Sequence, residues 1–370
     1  MALLAPRAED AVACKLCPDV VEWCPADGLE HLLAWGTYEH QESGERRGEL
    51  VFATLEQTAN AGSSERGSRL RQLSEVESAG VYDIAWAPPA ISASTGSTPE
   101  EQAAGQLLAT ACADGTVRLY SADGRTLAEP QVLCPCILTH LCWGAGGPSG
   151  LAVVGQDGGA HHMQLREDGA WEVLARRQQH KLETWCVEVS SSDPNLVLTG
   201  ADDSCLIGWD LREPPDAAPA FVNRRAHEAG VTALACDPLQ PHRIATGSYD
   251  ERVRLFDLRM MSGAPVAESD RLDDGAYHLA WHPAWPDVLA VANMRSGFPL
   301  LSVKSGESFQ KLTSYGAEAP EGAHGSLGYG ISWRAAPCAA GGWLAASASF
   351  YDRSVHLWSV DPSLVPGLRD

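Results

Sequence analysis

The sequence has little positive charge and no long apolar run. Its 370 residues include 27 Lys and Arg against 48 Asp and Glu, which gives a formal net charge of -21 at pH 7. A chain without a surplus of cations cannot neutralise many phosphates, so nucleic acid is excluded as an expected partner. Because no apolar stretch approaches the length of a membrane-spanning helix, we expect no membrane partner either.

Several common signals of catalysis, secretion and metal binding are also missing. There is no Gly-x-Ser-x-Gly elbow, no Walker loop and no His-Glu-x-x-His zinc motif. Acidic Glu9 and Asp10 follow the start too closely for a signal peptide, so the 11 cysteines are expected to be reduced thiols in the cytoplasm. Cys14 and Cys17 lack a second pair at zinc spacing, and we expect neither a metal nor a cofactor.

The sequence does contain a short pattern that recurs along the chain. An Asp at a tight turn is followed six residues later by an aromatic residue. The pattern occurs at Asp203 with Trp209, Asp250 with Phe256, Asp352 with Trp358 and, more loosely, Asp114 with Tyr120. Turn residues are dense and helical periodicity is nearly absent. A fixed offset in such a chain is typical of repeated β units.

Seven short apolar strands precede these turns, most of them about 43 to 56 residues apart. They lie at 19–23, 81–86, 138–143, 184–189, 231–236, 276–281 and 328–333. Four-stranded units at this period are propeller blades, so we predict an all-β fold with one seven-bladed β-propeller over residues 1–370. The blades are predicted at about 16–76, 77–133, 134–178, 179–225, 226–270, 271–313 and 323–360.

The seventh blade is one strand short in this reading. Its third strand, 354–360, is followed only by ten residues rich in Pro and Gly. The segment at 10–15 lies before the first blade and could supply the missing strand. We therefore predict that the ring closes by pairing the two chain ends, because this removes an exposed strand edge.

A His precedes the inner strand by four residues in three blades, at His180, His227 and His324. This resembles the WD-repeat family, in which such a His, a Ser or Thr, the turn Asp and a Trp form a buried hydrogen-bonded tetrad. The resemblance implies structural tetrads made of His180, Thr199, Asp203 and Trp209 in blade four, and of His227, Thr246 and Asp250 in blade five. Because buried polar groups are ordinarily satisfied structural groups, we do not expect these residues to be catalytic.

A more specific resemblance covers every blade except the third, with only Asp83 and Trp86 matching in the second. The matching segments are 21–25, 31–34, 36–38, 180–185, 202–203, 208–210, 247–251, 281–283, 296–298, 349–352 and 356–358. They are similar to the diphthine methyl ester hydrolases of diphthamide biosynthesis, a WD-repeat family also named diphthine methyltransferases. The resemblance implies hydrolysis of the methyl ester of diphthine on elongation factor 2.

WD-repeat propellers usually meet partners on the face that carries the residue five after the tetrad His and the residue before the turn Asp. In a chain that is 7% aromatic, six of these thirteen positions are Tyr or Trp. We predict a substrate mouth made of Glu183, Trp185, Asp202, Tyr249, Tyr329 and Tyr351. Aromatic faces and nearby acids attract a cation such as the quaternary ammonium of diphthine. The alternative is a set of ordinary protein-docking aromatics.

In four blades the inner-strand residue that directly follows the face position five after the tetrad His is polar or reactive. These residues are Asp83, His140, Cys186 and His278. An ester hydrolase needs an activated water, or a nucleophile with a base. Asp83, Cys186 and His278 are therefore the catalytic candidates. The blades of Cys186 and His278 are not adjacent, which disfavours direct contact, and inter-blade packing is the alternative for each residue.

A non-enzymatic scaffold is the alternative function. Trp209-Asp210-Leu211-Arg212 and Phe256-Asp257-Leu258-Arg259 resemble the paired Trp-Asp-x-Arg boxes of substrate receptors for cullin ubiquitin ligases. The partners implied by the favoured function are elongation factor 2 carrying methylated diphthine and other proteins of the diphthamide pathway. We expect the chain to act as a monomer.

Overall fold

A computed structural model describes residues 5–59, 66–89, 91, 105–303, 308–316, 324–338 and 342–364. Its 28 strands form seven antiparallel sheets of four strands each. Each inner strand contacts the inner strands of the two neighbouring sheets, and the seventh contacts the first, so the sheets form a closed ring. The predicted all-β, seven-bladed propeller is confirmed. Among the described residues no helix is long and apolar enough to cross a membrane.

The first four blades follow one another along the chain. Blade one contains β2 (Cys17–Trp23), β3 (Leu32–His40), β4 (Arg46–Ala59) and β5 (Arg66–Ala79). Blade two contains β6 (Val81–Trp86), β7 (Leu107–Cys112), β8 (Thr116–Ser121) and β9 (Gln131–Val132). Blade three contains β10 (Leu138–Trp143), β11 (Gly150–Gly155), β12 (Gly159–Leu165) and β13 (Trp171–Gln178). Blade four contains β14 (Thr184–Val189), β15 (Leu196–Ala201), β16 (Leu206–Asp210) and β17 (Phe221–Asn223).

The remaining blades complete the ring. Blade five contains β18 (Val231–Cys236), β19 (Arg243–Ser248), β20 (Val253–Asp257) and β21 (Ala267–Glu268). Blade six contains β22 (His278–Trp281), β23 (Val288–Ala292), β24 (Phe298–Ser302) and β25 (Gln310–Tyr315). Blade seven contains β26 (Gly328–Trp333), β27 (Trp343–Ser349) and β28 (Ser354–Val360), with β1 (Arg7–Ala13) as its outer strand.

The ring closes through β1, which pairs antiparallel with β28. The pairing runs from Arg7 opposite Ser359 to Ala13 opposite Ser354. Asp10 of this strand also accepts a hydrogen bond from the backbone N–H of Leu70 in blade one, at 2.7 Å. The strand begins three residues before the predicted segment, and it joins blade seven to blade one as well as completing the sheet.

The hydrogen bonds predicted for the tetrads are present in the structure. His180 contacts Asp203 at 3.1 Å and Thr199 at 2.8 Å, and the indole of Trp209 donates to Thr199 at 3.0 Å. Burial favours the neutral acid at Asp203, but hydrogen bonds from His180 and from the Lys181 N–H outweigh it and hold the pKa of Asp203 below its ordinary value. Each tetrad therefore ties a turn to the strands behind it.

Blade five repeats this network with one replacement. His227 contacts Asp250 at 3.1 Å and Thr246 at 2.7 Å. Phe256 is buried and has no N–H to donate, so Thr246 lacks the indole hydrogen bond that Thr199 receives in blade four. The guanidinium of Arg254 adds a different bond to this network, because it donates to Asp250 at 2.6 Å.

Removing a tetrad side chain is expected to destabilise the protein. His180→Ala and Asp203→Ala should each lower the free energy of unfolding by about 1–3 kcal/mol, because a buried partner is left unsatisfied. The double variant should lose less than the sum of the two, since both changes break the same network. Urea titration measures these losses, with Glu172→Ala, which removes only a surface ion pair with Arg166, as the control. Unchanged stability with lost activity would instead identify these residues as catalytic.

A bulge in the inner strands positions side chains in the central channel. The pairing register between the first two strands of a blade shifts by one residue in every blade except the sixth. In blade one the shift follows the second paired residue, Pro18. In the other five blades it follows the first, as between Val81 and Asp83 or between Leu138 and His140. A bulge leaves one residue unpaired and re-aims its neighbours. Two successive side chains of one strand, such as Tyr82 and Asp83, therefore line the same channel.

Candidate functional site

Three titratable side chains from non-neighbouring parts of the sequence meet inside the channel. Asp83 of blade two lies 3.6 Å from Nδ1 of His140 in blade three. The His140 ring is 6.4 Å from the ring of His278 in blade six, in an edge-on arrangement. We call Asp83, His140 and His278 the central layer. The layer unites two of the three predicted catalytic residues with the His140 that shares their strand position.

The environment of the central layer sets its protonation near neutral pH. Burial raises the pKa of Asp83 to about 7, although the Leu141 N–H donates to its carboxylate at 2.9 Å. Burial lowers the pKa of His140 to about 4, and it lowers that of His278 to about 4 as well. Both imidazoles are therefore neutral at pH 7, while Asp83 exchanges a proton in that range.

His140 presents a free lone pair to this layer. Its ring also hydrogen-bonds to the Val187 carbonyl, and Nδ1 is buried without a hydrogen-bond partner. A neutral imidazole that donates through one nitrogen is an acceptor at the other. Nδ1 of His140 and the carboxylate of Asp83 can therefore share one proton between them.

Cys186 occupies the equivalent position of its own inner strand, but its side chain does not point into the channel. This corrects the prediction that placed Cys186 at the channel. Its thiol is fully buried between blades four and five, where Sγ contacts the carbonyl oxygens of Gly200 and Val231 at 3.8 and 3.7 Å. Burial raises the pKa of this thiol. A thiol without a base and without access to the channel is a packing group rather than a nucleophile.

The residues predicted to form the substrate mouth lie on one face but do not form one pocket. The Trp185 indole donates to Asp202 at 3.4 Å and meets the Tyr249 ring edge-on at 6.5 Å. Glu183 joins this group because its carbonyl accepts from the Asp202 N–H. The other two residues belong to blade seven, where Tyr329 packs against Tyr277 and Tyr351 is 70% exposed.

The channel is nearly closed at this mouth face. The cavity behind it has a volume of about 30 Å³ and is lined by Asp19, Tyr82, Thr139, Trp185, Thr232, Tyr277 and Tyr329 above the central layer. Tyr38 stacks on Tyr82 at 4.4 Å and Tyr277 contacts Tyr329 at 4.5 Å, which narrows the opening. The room is that of about one water molecule. A cationic side chain at the mouth face would lie on the outside of these rings, away from Asp83.

The channel is wide on the other side of the central layer. A cavity of about 540 Å³, which we call the chamber, has Asp83, His140 and His278 in its wall and extends to exposed Pro25 and Pro238 beyond the inner strands. This volume is within the range of about 300–1,000 Å³ typical of small-molecule sites. The chamber is therefore the space in which a substrate-sized group can reach the central layer.

Two acidic side chains of the chamber were not among the sequence-predicted site residues. Glu22 and Glu188 line it from blades one and four. Burial raises the pKa of Glu22 well above its ordinary value and that of Glu188 to about 8. The sequence did contain one signal for them. At the equivalent position of the inner strand the other five blades have Ala, Ser or Cys, whereas blades one and four have Glu.

Among the described residues, one group has the spacing of a metal site. Ligand atoms of Cys134, Cys136 and Asp157 lie within 4.8 Å of one another, outside the channel. Asp157 is already ion-paired with Arg176 at 2.8 Å, and burial raises the pKa of Cys134 to about 12. A metal would need this thiol as a thiolate, so the group does not favour one.

Comparison with known proteins supports the same class of fold. The WD domain, G-beta repeat family matches residues 102–121 and 221–257. Among solved structures, a chain from a crystal structure titled Mitotic Checkpoint Complex superposes with a TM-score of 0.65 at 17% identity. The superposition covers 96% of this chain and 92% of the other. At this identity the similarity establishes the propeller alone.

Curated relatives cover most of the chain. The mouse (Mus musculus) protein named diphthine methyltransferase is 29% identical over 352 residues, which cover 88% of this chain and 69% of the mouse protein. The human protein of that name is 29% identical over 86% of this chain and 73% of its own length. The fission yeast (Schizosaccharomyces pombe) protein of that name is 26% identical over 92% of this chain and 96% of its own length.

Proposed function

The chain belongs to the WD-repeat family whose curated members are named diphthine methyltransferase, and on that basis we propose that it hydrolyses the methyl ester of diphthine on elongation factor 2. The relatives implicate it in diphthamide biosynthesis. The products are diphthine, with a free carboxylate, and methanol. We place the reaction in the cytoplasm, with elongation factor 2 as the partner protein.

One observation carries this proposal, namely a proton-accepting group of suitable pKa at the wall of a substrate-sized chamber. Asp83 is 6% exposed, has a pKa of about 7 and lies beside the unpartnered Nδ1 of His140. A general base works best when its pKa lies near the operating pH. Perturbed carboxylates in a cavity are also where acid–base chemistry is concentrated in proteins.

The central layer can perform the hydrolysis without a covalent intermediate. Ionised Asp83 takes a proton from a water whose oxygen attacks the ester carbonyl carbon. The tetrahedral intermediate then collapses, the bond from carbon to methoxy oxygen breaks, and the departing oxygen takes the proton back from Asp83 as methanol. The neutral rings of His140 and His278 orient the water and border the oxyanion. No Ser or Cys nucleophile is required.

The proposal is tested by adding purified protein to methyl-esterified elongation factor 2 without any methyl donor. We expect one methanol for each substrate converted, and a matching loss of one methylene from the mass of the modified histidine. A methyltransferase would instead require a methyl donor and would add mass. No methanol and no mass change under conditions where the folded protein binds the substrate would overturn the proposal.

A further inference from the structure

The two ends of the channel differ in size. The mouth face closes over about 30 Å³, whereas the chamber on the other side of the central layer offers about 540 Å³. Both spaces are bordered by Asp83, His140 and His278. The central layer therefore separates the two spaces, and only the chamber side is large enough for a substrate to reach it.

The chamber carries acidic groups that no cationic side chain neutralises. Glu22 accepts a hydrogen bond from the Trp86 N–H at 3.2 Å, and Oε2 of Glu188 lies 4.0 Å from the Cys142 thiol. Among the described residues that line the chamber, none is Lys or Arg. Without a partner cation, the raised pKa values of Glu22 and Glu188 favour their neutral forms, and a cation from outside would restore the ionised carboxylates by direct attraction.

Indole rings from five blades complete the wall. The chamber is lined by Trp23, Trp86, Trp143, Trp281 and Trp333. Four of them donate their indole N–H to a carbonyl of the neighbouring blade, as Trp143 does to Ala85 at 3.0 Å and Trp281 to Ala235 at 2.9 Å. Their rings are therefore held in place before a ligand arrives. Each of the five is at most 8% exposed, so they present little ring face to the chamber, and its carboxyl groups supply most of the attraction for a cation.

We propose that the chamber is the binding site for the substrate's quaternary ammonium group, with Glu22 and Glu188 as its counter-charges and Asp83 facing the adjacent ester. The inference rests on the proposed function and specifies its site. Glu22 and Glu188 stand two residues beyond the central-layer position of their strands, which is about 7 Å along the channel. In diphthine methyl ester the ammonium and the ester are attached to the same carbon atom. Both groups therefore fit between the level of Asp83 and the level of the two glutamates.

Binding of a small cation tests the site without requiring catalysis. Choline carries the trimethylammonium group, and 3,3-dimethylbutan-1-ol is its neutral counterpart of the same shape. We expect choline to bind at least about tenfold more tightly than the neutral alcohol. Calorimetry gives the affinities, and because five indoles line the chamber, choline should also change the intrinsic tryptophan fluorescence.

Variants locate the site. Glu188→Gln and Glu22→Gln should each reduce choline affinity by about tenfold and leave the weak binding of the neutral alcohol unchanged. Glu172→Gln, the same change on the partly exposed outer strand of blade three, is the matched control. Melting temperatures establish that each variant is folded. Choline binding that is unchanged in both chamber variants, or that is lost in Trp185→Ala at the mouth face, would overturn the inference.

The inference and the proposed function can fail separately. Choline binding that depends on Glu22 and Glu188, without methanol release from elongation factor 2, would support the chamber as a cation site and reject the hydrolase. Methanol release that is unaffected by Glu188→Gln and Glu22→Gln would support the hydrolase and reject the chamber as its substrate site.

Discussion

Asp83→Asn is expected to reduce methanol release by about 10²–10⁴-fold while the propeller stays folded. Asparagine has nearly the shape of the acid, and its side-chain oxygen can still accept the Leu141 N–H that now bonds to Asp83. It cannot take a proton from water. The loss should appear in the turnover number rather than in the Michaelis constant, because Asp83 acts on the water and not on the cationic group of the substrate.

The pH dependence of the unmodified protein follows from the same carboxyl group. Its pKa is raised to about 7, so the ionised base is scarce at pH 5 and predominates at pH 8. The turnover number at saturating substrate should therefore rise with pH through about 7, whereas the two histidines, with pKa values of about 4, add no step there. Saturation is needed because Glu188, with a pKa of about 8, would otherwise add a step through substrate binding. A pH–rate profile of the folded protein measures this limb.

Stability provides the control for Asp83→Asn. A carboxyl group whose folded-state pKa is raised favours the folded state at low pH, and that contribution is lost as pH rises through about 7. The variant should consequently be at least as stable as the unmodified protein at pH 8. Asp203→Asn, the same change in a tetrad, should lower stability but keep the turnover of the folded fraction. Normal turnover in Asp83→Asn would remove Asp83 from the mechanism.

Much of the fold could be predicted because each blade repeats a local pattern. Val81–Trp86, Leu138–Trp143 and Thr184–Val189 have the predicted bounds, since an apolar strand is followed there by a turn and a second strand. The long outer strands of blade one, Arg46–Ala59 and Arg66–Ala79, were not predicted in detail because they lack the repeated spacing. The low-complexity sequence of residues 88–105 predicts a loop in blade two, and most of this segment lies outside the described residues.

The site was less predictable because the channel joins residues that are distant in sequence. Repeat position identified Asp83, His140, Cys186 and His278 as equivalent, but equivalence in a strand does not determine side-chain direction. The contacts of Cys186 with Gly200 and Val231 turn its thiol between two blades. The width of the channel depends on ring contacts such as that of Tyr38 with Tyr82, which no single repeat contains. Hence the chamber and its two glutamates emerge only from the assembled ring.

Removing residues 1–13 is expected to lower the melting temperature by on the order of 10 °C. The deletion takes away the whole of β1 and exposes the edge of β28, whose six paired residues lose their partners. At about 0.5–1.5 kcal/mol for each net hydrogen bond, the loss amounts to several kcal/mol. It also removes the bond from Leu70 to Asp10, so blades seven and one are no longer joined by this strand.

A shorter deletion and a point variant distinguish the loss of the pairing between β1 and β28 from a general effect of shortening the N-terminus. Removing residues 1–5 leaves every residue of β1 in place and should not change the melting temperature. Val12→Pro removes a backbone donor near the C-terminal end of β1, opposite Val355, and should reproduce part of the loss. Calorimetric melting measures all three variants. Because an unpaired β28 is an open sheet edge, the deletion of residues 1–13 should also self-associate as concentration rises. A monomeric deletion variant that melts with the unmodified protein would mean that β1 does not hold the ring closed.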